Sequence, residues 1–190
     1  MPISLSPNKT LNVSVWDPAV RAAALHYLES GQLPQWVAHP AGGTNIPPWP
    51  LPETGIPPTE QRYLLQFPQL RTLIELAISE GQPTEVLRWY DRRIPTHYSP
   101  VDADVIADAV AESYPERAAS IWQELAEERI AQTKPAAYEA AAHCLRKLRR
   151  VWTAHGKAGE WRSYIEKLGA ANKRKRRLIE TLDALLRERG

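Results

Sequence analysis

The chain has a single cysteine, Cys144, among its 190 residues. One thiol excludes an intramolecular disulfide and any zinc site that needs several thiolates, and it fits a reducing compartment. No run approaches the roughly 18 apolar residues of a membrane span. The N-terminus, Met1-Pro2-Ile3-Ser4-Leu5-Ser6, lacks a basic region followed by an apolar stretch, so no secretory signal is expected and cytoplasmic residence is. There is no glycine loop to cradle phosphate, no Gly-x-Ser-x-Gly turn and no His-Glu-x-x-His pair. With no such motif the expectation is a protein that is not an enzyme, with no catalytic residue, no metal and no cofactor.

What is present is enough for a folded domain. Hydrophobic residues make up 43% of the chain, and seven Trp and seven Tyr can fill a core. The net charge of +2 conceals a strong segregation. Residues 1–139 hold 10 Lys/Arg against 17 Asp/Glu, whereas residues 140–190 hold 14 against 5. The basic excess concentrates in Arg146-Lys147-Leu148-Arg149-Arg150 and Lys173-Arg174-Lys175-Arg176-Arg177. Clustering of this kind raises the local potential and steers acidic partners without naming them.

Proline punctuates the chain. Residues 1–15 alternate weakly, through Leu11, Val13 and Val15, and are expected to be extended. Asp17-Pro18 reads as a capped helix start, with Val20, Ala23, Ala24 and Tyr27 as its stripe and Gly31 as its stop. Trp36 falls in a short helical turn over 33–38. Residues 40–58 hold seven prolines and three glycines, which no regular helix survives. Trp49, Leu51 and Ile56 among those prolines suggest a strap pinned to a surface rather than a free linker. From residue 59 the pattern is helical throughout. The expected inward residues are Tyr63, Leu64 and Phe67; Leu70, Leu73, Ile74 and Ala77; Val86, Leu87 and Tyr90; Val105, Ile106, Ala109 and Val110; Ala118, Ile121, Trp122 and Leu125. A long helix from Pro135 carries Tyr138, Ala141, Leu145, Leu148 and Trp152 and stops at Gly156; Trp161, Tyr164, Ile165 and Leu168 mark the next, and Leu178, Ile179, Leu182, Leu185 and Leu186 the last. Short connections force neighbouring helices to pack antiparallel. The expected fold is therefore all-α: antiparallel helical hairpins forming an α-solenoid or irregular bundle, with residues 1–58 an N-terminal helix plus strap and 59–190 a helical-repeat domain. The hairpin from 100 to 132 resembles a tetratricopeptide-like repeat, with Pro115 opening its second helix.

Several stretches taken together carry a further resemblance: Phe67-Pro68-Gln69-Leu70, Glu85-Val86-Leu87-Arg88-Trp89-Tyr90-Asp91, Ser113-Tyr114-Pro115-Glu116-Arg117-Ala118, Ala137-Tyr138-Glu139-Ala140-Ala141-Ala142 and Glu160-Trp161 before Tyr164-Ile165. In that order, over about residues 50–188, the chain resembles the helical region that follows the zinc finger in bacterial SWIM zinc-finger proteins. That finger takes Cys-x-Cys and Cys-x-His, and one cysteine cannot build it. The resemblance implies the helical part alone, without the nucleic-acid binding attributed to the finger.

Arg146, Lys147, Arg149, Arg150, Lys173, Arg174, Arg176 and Arg177 are the candidate residues for an acidic partner or nucleic acid. Arg146, Arg149 and Arg150 are expected to point away from the Tyr138–Trp152 stripe, with Lys147 at its flank. If both helices present them on one side, about eight cations form one patch able to touch several phosphates. The plainer reading is a solvated face with pairs such as Arg176/Glu180. Asp102, Asp104, Asp108 and Glu112 favour a helix dipole more readily than a metal. His26, His39, His97, His143 and His155 are scattered, and Cys144 and His155 lie about three helical turns apart, too far for a catalytic pair. Trp89-Tyr90 before Arg92-Arg93 reads as packing between hairpins rather than as a stacking platform. The expected function is a non-enzymatic helical-repeat module for protein interaction or scaffolding with a protein partner, the alternative being a nucleic-acid-associated accessory without sequence preference.

Overall fold

The structure, a computed structural model, describes residues 17–33, 67–92 and 101–188. All secondary structure among them is helical: α1 (Pro18–Ser30), α2 (Leu70–Ser79), α3 (Pro83–Asp91), α4 (Ala103–Val110), α5 (Pro115–Ala131), α6 (Pro135–Ala154), α7 (Ala158–Ala171) and α8 (Arg176–Arg187). The alternation over 1–15, the turn at Trp36, the strap over 40–58, the helix expected at Tyr63 and Leu64, and the boundary at 58/59 all lie outside the described residues. The chain divides into two compact units, Met1–Glu80 and Gly81–Gly190. Among the described residues no helix is long and apolar enough to cross a membrane.

In the first unit the start of α1 follows from its sequence. Asp17 Oδ1 accepts from the backbone N–H of Ala19 at 2.8 Å and Val20 at 3.4 Å, and Pro18 occupies a position whose N–H needs no partner. Val20, Ala24 and Leu28 are buried, and α1 packs on α2 through Leu73, Ile74 and Ala77. Arg21 grips Glu80 through two hydrogen bonds, with Nε to Oε1 at 2.7 Å. The Gln69 N–H donates to the Leu28 carbonyl at 2.8 Å. Gly31 closes α1 at φ +73°, and a Cβ added there would stand 2.7 Å from the Phe67 ring. Gly31→Ala combines a left-handed backbone with that collision. It is expected to destabilise this unit by about 1–2 kcal/mol, read as a lower urea midpoint of the full chain.

In the second unit each helix packs on the next, and α8 also packs on α6. The connections from α4 to α8 are three or four residues long, so consecutive helices run antiparallel. Side chains also tie each helix to the next but one. Arg117 on α5 pairs with Asp91 on α3 at 2.5 Å. Lys147 on α6 pairs with Asp104 and Asp108 on α4. Tyr164 on α7 donates to Glu127 on α5 at 2.9 Å, and Arg146 on α6 pairs with Glu188 just past α8. Each of these helices therefore contacts both first and second neighbours, in an all-α arrangement.

The most extensive packing in this unit is between α5 and α6. Ala118, Ala119 and Ala126 on α5 and Ala141 and Ala142 on α6 are buried, and such small side chains let helix axes approach closely. Ile121, Trp122, Leu145 and Leu148 of the same two helices are buried too. On α3 both Trp89 and Tyr90 are buried, with the Arg88 and Arg92 guanidinium groups 4.6 and 5.0 Å from the Trp89 ring centre, so this pair packs between helices. On α4 the face differs from the expected one. Ala103, Ile106, Ala107 and Val110 are buried, while Val105 is 47% exposed and Ala109 is exposed. Asp102 caps this helix by accepting from the Asp104 N–H at 3.0 Å, so the helix begins at Ala103, and the close approach of α5 selects the alanine side.

Candidate interaction surface

The two basic runs have different fates. Arg146 forks onto Glu188, with Nε 3.1 Å and Nη2 2.8 Å from its oxygens, and these hydrogen bonds hold the Glu188 carboxyl below its usual range. The Lys147 side chain is only 17% exposed. Its ammonium donates to Asp104 at 2.9 Å and to Asp108 at 2.6 Å, and lies 5.9 Å from the Trp122 ring centre. The Trp122 indole N–H donates to the other Asp104 oxygen at 2.9 Å. Burial works to raise the Asp104 carboxyl, but the hydrogen bonds from Lys147 and Trp122 and the lysine charge outweigh it and keep the group below the ordinary range. Burial likewise works against the Lys147 charge, and the two aspartates more than compensate, so its ammonium titrates above its ordinary value. Arg149 does not point away from the core stripe. It is half-buried with its guanidinium 5.0 Å from the centre of the Trp161 ring, whose own N–H is fixed on the Leu145 carbonyl. Only Arg150 of this run is exposed and, among the described residues, without an ion-pair partner.

The second run stays on the surface. Lys173 and Arg174 in the α7–α8 turn are exposed and have no ion-pair partner among the described residues. Arg176 and Arg177 open α8 and share one carboxylate, Glu180, at 3.2 and 3.8 Å. Lys175, not among the expected site residues, donates to the Ile130 carbonyl at 3.1 Å and so satisfies an acceptor near the end of α5. No carboxylate occupies the first turn of α8.

Two of these contacts fix the separation of the runs. Lys175 places the start of α8 beside the end of α5, and Arg146 meets Glu188 at the far end of α8. Twelve residues of α-helix are about 18 Å long. The structure therefore brings Arg146, Lys147 and Arg149 together with internal partners, and sets Lys173, Arg174, Arg176 and Arg177 at the opposite end of α8. That distance is about twice the physiological Debye length, so in solution the two runs act as separate patches. The charge segregation acquires a partial explanation: Lys147 and Lys157 of the basic half neutralise Asp104, Asp108 and Glu116 of the acidic half.

Beside the second run lies an open apolar groove between α7 and α8, of about 350 Å³, floored by Ile165, Ile179, Leu182 and Leu186. Gly169 and Ala170 line it from α7.

The other polar constellations serve the fold. Asp104 and Asp108 converge on an ammonium, and among the described residues no group of three or more His, Cys, Asp or Glu is placed to hold a metal ion. Burial pushes the Cys144 thiol up to about 11, and Arg129 donates to its sulfur, so at neutral pH it is a packed thiol rather than a nucleophile.

No protein-family model, curated protein or solved structure matches this chain.

Proposed function

We propose that this chain is a non-enzymatic helical-repeat module that holds an acidic segment of a partner protein through the cations of the α7–α8 turn. One observation carries the reading. Lys173, Arg174, Arg176 and Arg177 project from a short turn and the helix start that follows it, and Glu180 is their only intramolecular carboxylate among the described residues. Four cations there also oppose the positive end of the α8 dipole, an arrangement that costs stability until an anion meets it. The stacking of helices on their first and second neighbours supports a tetratricopeptide-like reading of the second unit. The likeness of residues 50–188 to the helical region of SWIM zinc-finger proteins belongs to the same proposal, with the helical part acting without a finger, in the cytoplasm. A second reading, favoured by the same cations, is a nucleic-acid accessory that grips phosphates without reading bases.

The test is a titration of the full chain against two labelled probes at low salt, a Glu/Asp-rich peptide and a single-stranded oligonucleotide of matched charge. The peptide is expected to bind, and R174S/R176S/R177S to weaken it by at least about tenfold through loss of charge-assisted contacts. Preference for the oligonucleotide, with affinity falling steeply as salt rises, selects the second reading. Binding of neither probe overturns both.

A further inference from the structure

We propose that the α7/α8 groove is the contact surface of a weak homodimer, filled by the same two helices of a second copy across a two-fold axis. The inference goes beyond the acidic-partner reading and uses a different feature, the polarised rim of the groove. Its floor is apolar, with Ile179 and Leu186 half-buried along one side of α8 at a seven-residue spacing. Lys173 stands at the turn end. Glu166 on α7 and Asp183 on α8 stand on opposite walls, each about seven helical residues, or roughly 10 Å, from that turn. None of these three charges has an ion-pair partner among the described residues.

A groove that is basic at one end and acidic at the other is complementary to itself when reversed. A two-fold contact presents the same patch from both copies. Antiparallel apposition of the two grooves sets Lys173 of each copy against the Glu166/Asp183 pair of the other, so each favourable contact is made twice. The reverse alignment sets like charges together and is penalised. Two short helices per copy cover less than the roughly 1,200 Å² of a standard interface, so the dimer belongs to the weak class. A foreign amphipathic helix is the competing occupant.

The test is sedimentation equilibrium of the full chain from about 10 µM to about 1 mM at low salt, a range suited to weak association. The apparent mass is expected to rise from 21.5 kDa toward twice that value. K173E alone and E166K/D183K alone are each expected to weaken self-association by at least about tenfold. Mixing the two variants is expected to restore association, because the acidic copy then faces the basic one at both ends. A parent that stays monomeric throughout, or a mixture no tighter than its components, overturns the proposal and leaves the groove to another occupant. R174S/R176S/R177S keeps Lys173, so it is expected to lose acidic-peptide binding while dimerising as the parent does. The two proposals therefore fail separately.

Discussion

Replacing Trp122 with alanine is expected to lower the unfolding free energy of the second unit by about 3–5 kcal/mol, the range for truncating a large buried aromatic. Two causes add. The side chain is 2% exposed, beside Asp104 of α4 and Lys147 of α6, so truncation removes apolar area and leaves a cavity. It also removes the indole N–H that donates to Asp104. Trp122→Phe separates the causes. It keeps most of the volume and loses the donor, and is expected to cost about 1–2 kcal/mol. Urea unfolding of the full chain, followed by far-ultraviolet circular dichroism, measures both. Equal costs for the two variants would show that the hydrogen bond, rather than the packing, dominates.

Lys147→Met is the second large effect, expected at about 2–3 kcal/mol near neutral pH. Methionine keeps much of the stem but leaves Asp104, 18% exposed, and Asp108 without their shared cation. The pH dependence follows from the direction of the shifts. The folded Asp104 carboxyl is depressed, so its contribution is full above the unfolded value near 4 and is lost as pH falls through the lower folded value. The folded Lys147 ammonium is raised, so its contribution is full below the unfolded value near 10.4 and is lost as pH climbs through the higher folded value. In the variant, Asp104 loses the hydrogen bond and charge of its lysine, so its carboxyl is less depressed and acidification harms the variant less than the parent. The stability gap between them is therefore expected to narrow from pH 7 toward pH 3. A constant gap would assign the loss to packing of the lysine stem.

Much of the fold was legible because it rests on local rules. Asp17-Pro18 capped α1 and Gly31 closed it in the left-handed conformation, as those residue types require. Val86 and Tyr90, Ile121 and Trp122, Leu145 and Leu148 all lie in the core at the helical spacing expected of them. The face of α4 was not legible. Larger Val105 and small Ala109 were expected inward, but close packing of α5 rewards Ala103 and Ala107 instead, and that proximity is a tertiary fact. The basic runs mark the same boundary. Nothing local to Lys147 reveals that its partners lie 39 and 43 residues earlier, or that Arg146 meets Glu188 42 residues later. Composition alone merges two clusters that α8 holds apart. The groove had a readable trace, since Ile179 and Leu186 recur at seven residues beside the Leu178–Leu182–Leu185 core stripe.

Paired urea unfolding of R174S/R176S/R177S and R146S/K147S in the full chain tests most directly whether the two basic runs have separate roles. The first variant loses only surface pairs to Glu180, each worth a few tenths of a kcal/mol, and relieves repulsion at the start of α8. Its stability is expected within about 0.5 kcal/mol of the parent or above it. The second variant opens the braces to α4 and to the end of α8, and should lose about 2–4 kcal/mol. Equal losses, or a larger loss from the turn, would show that the α7–α8 cations hold the fold together and are not kept for a partner.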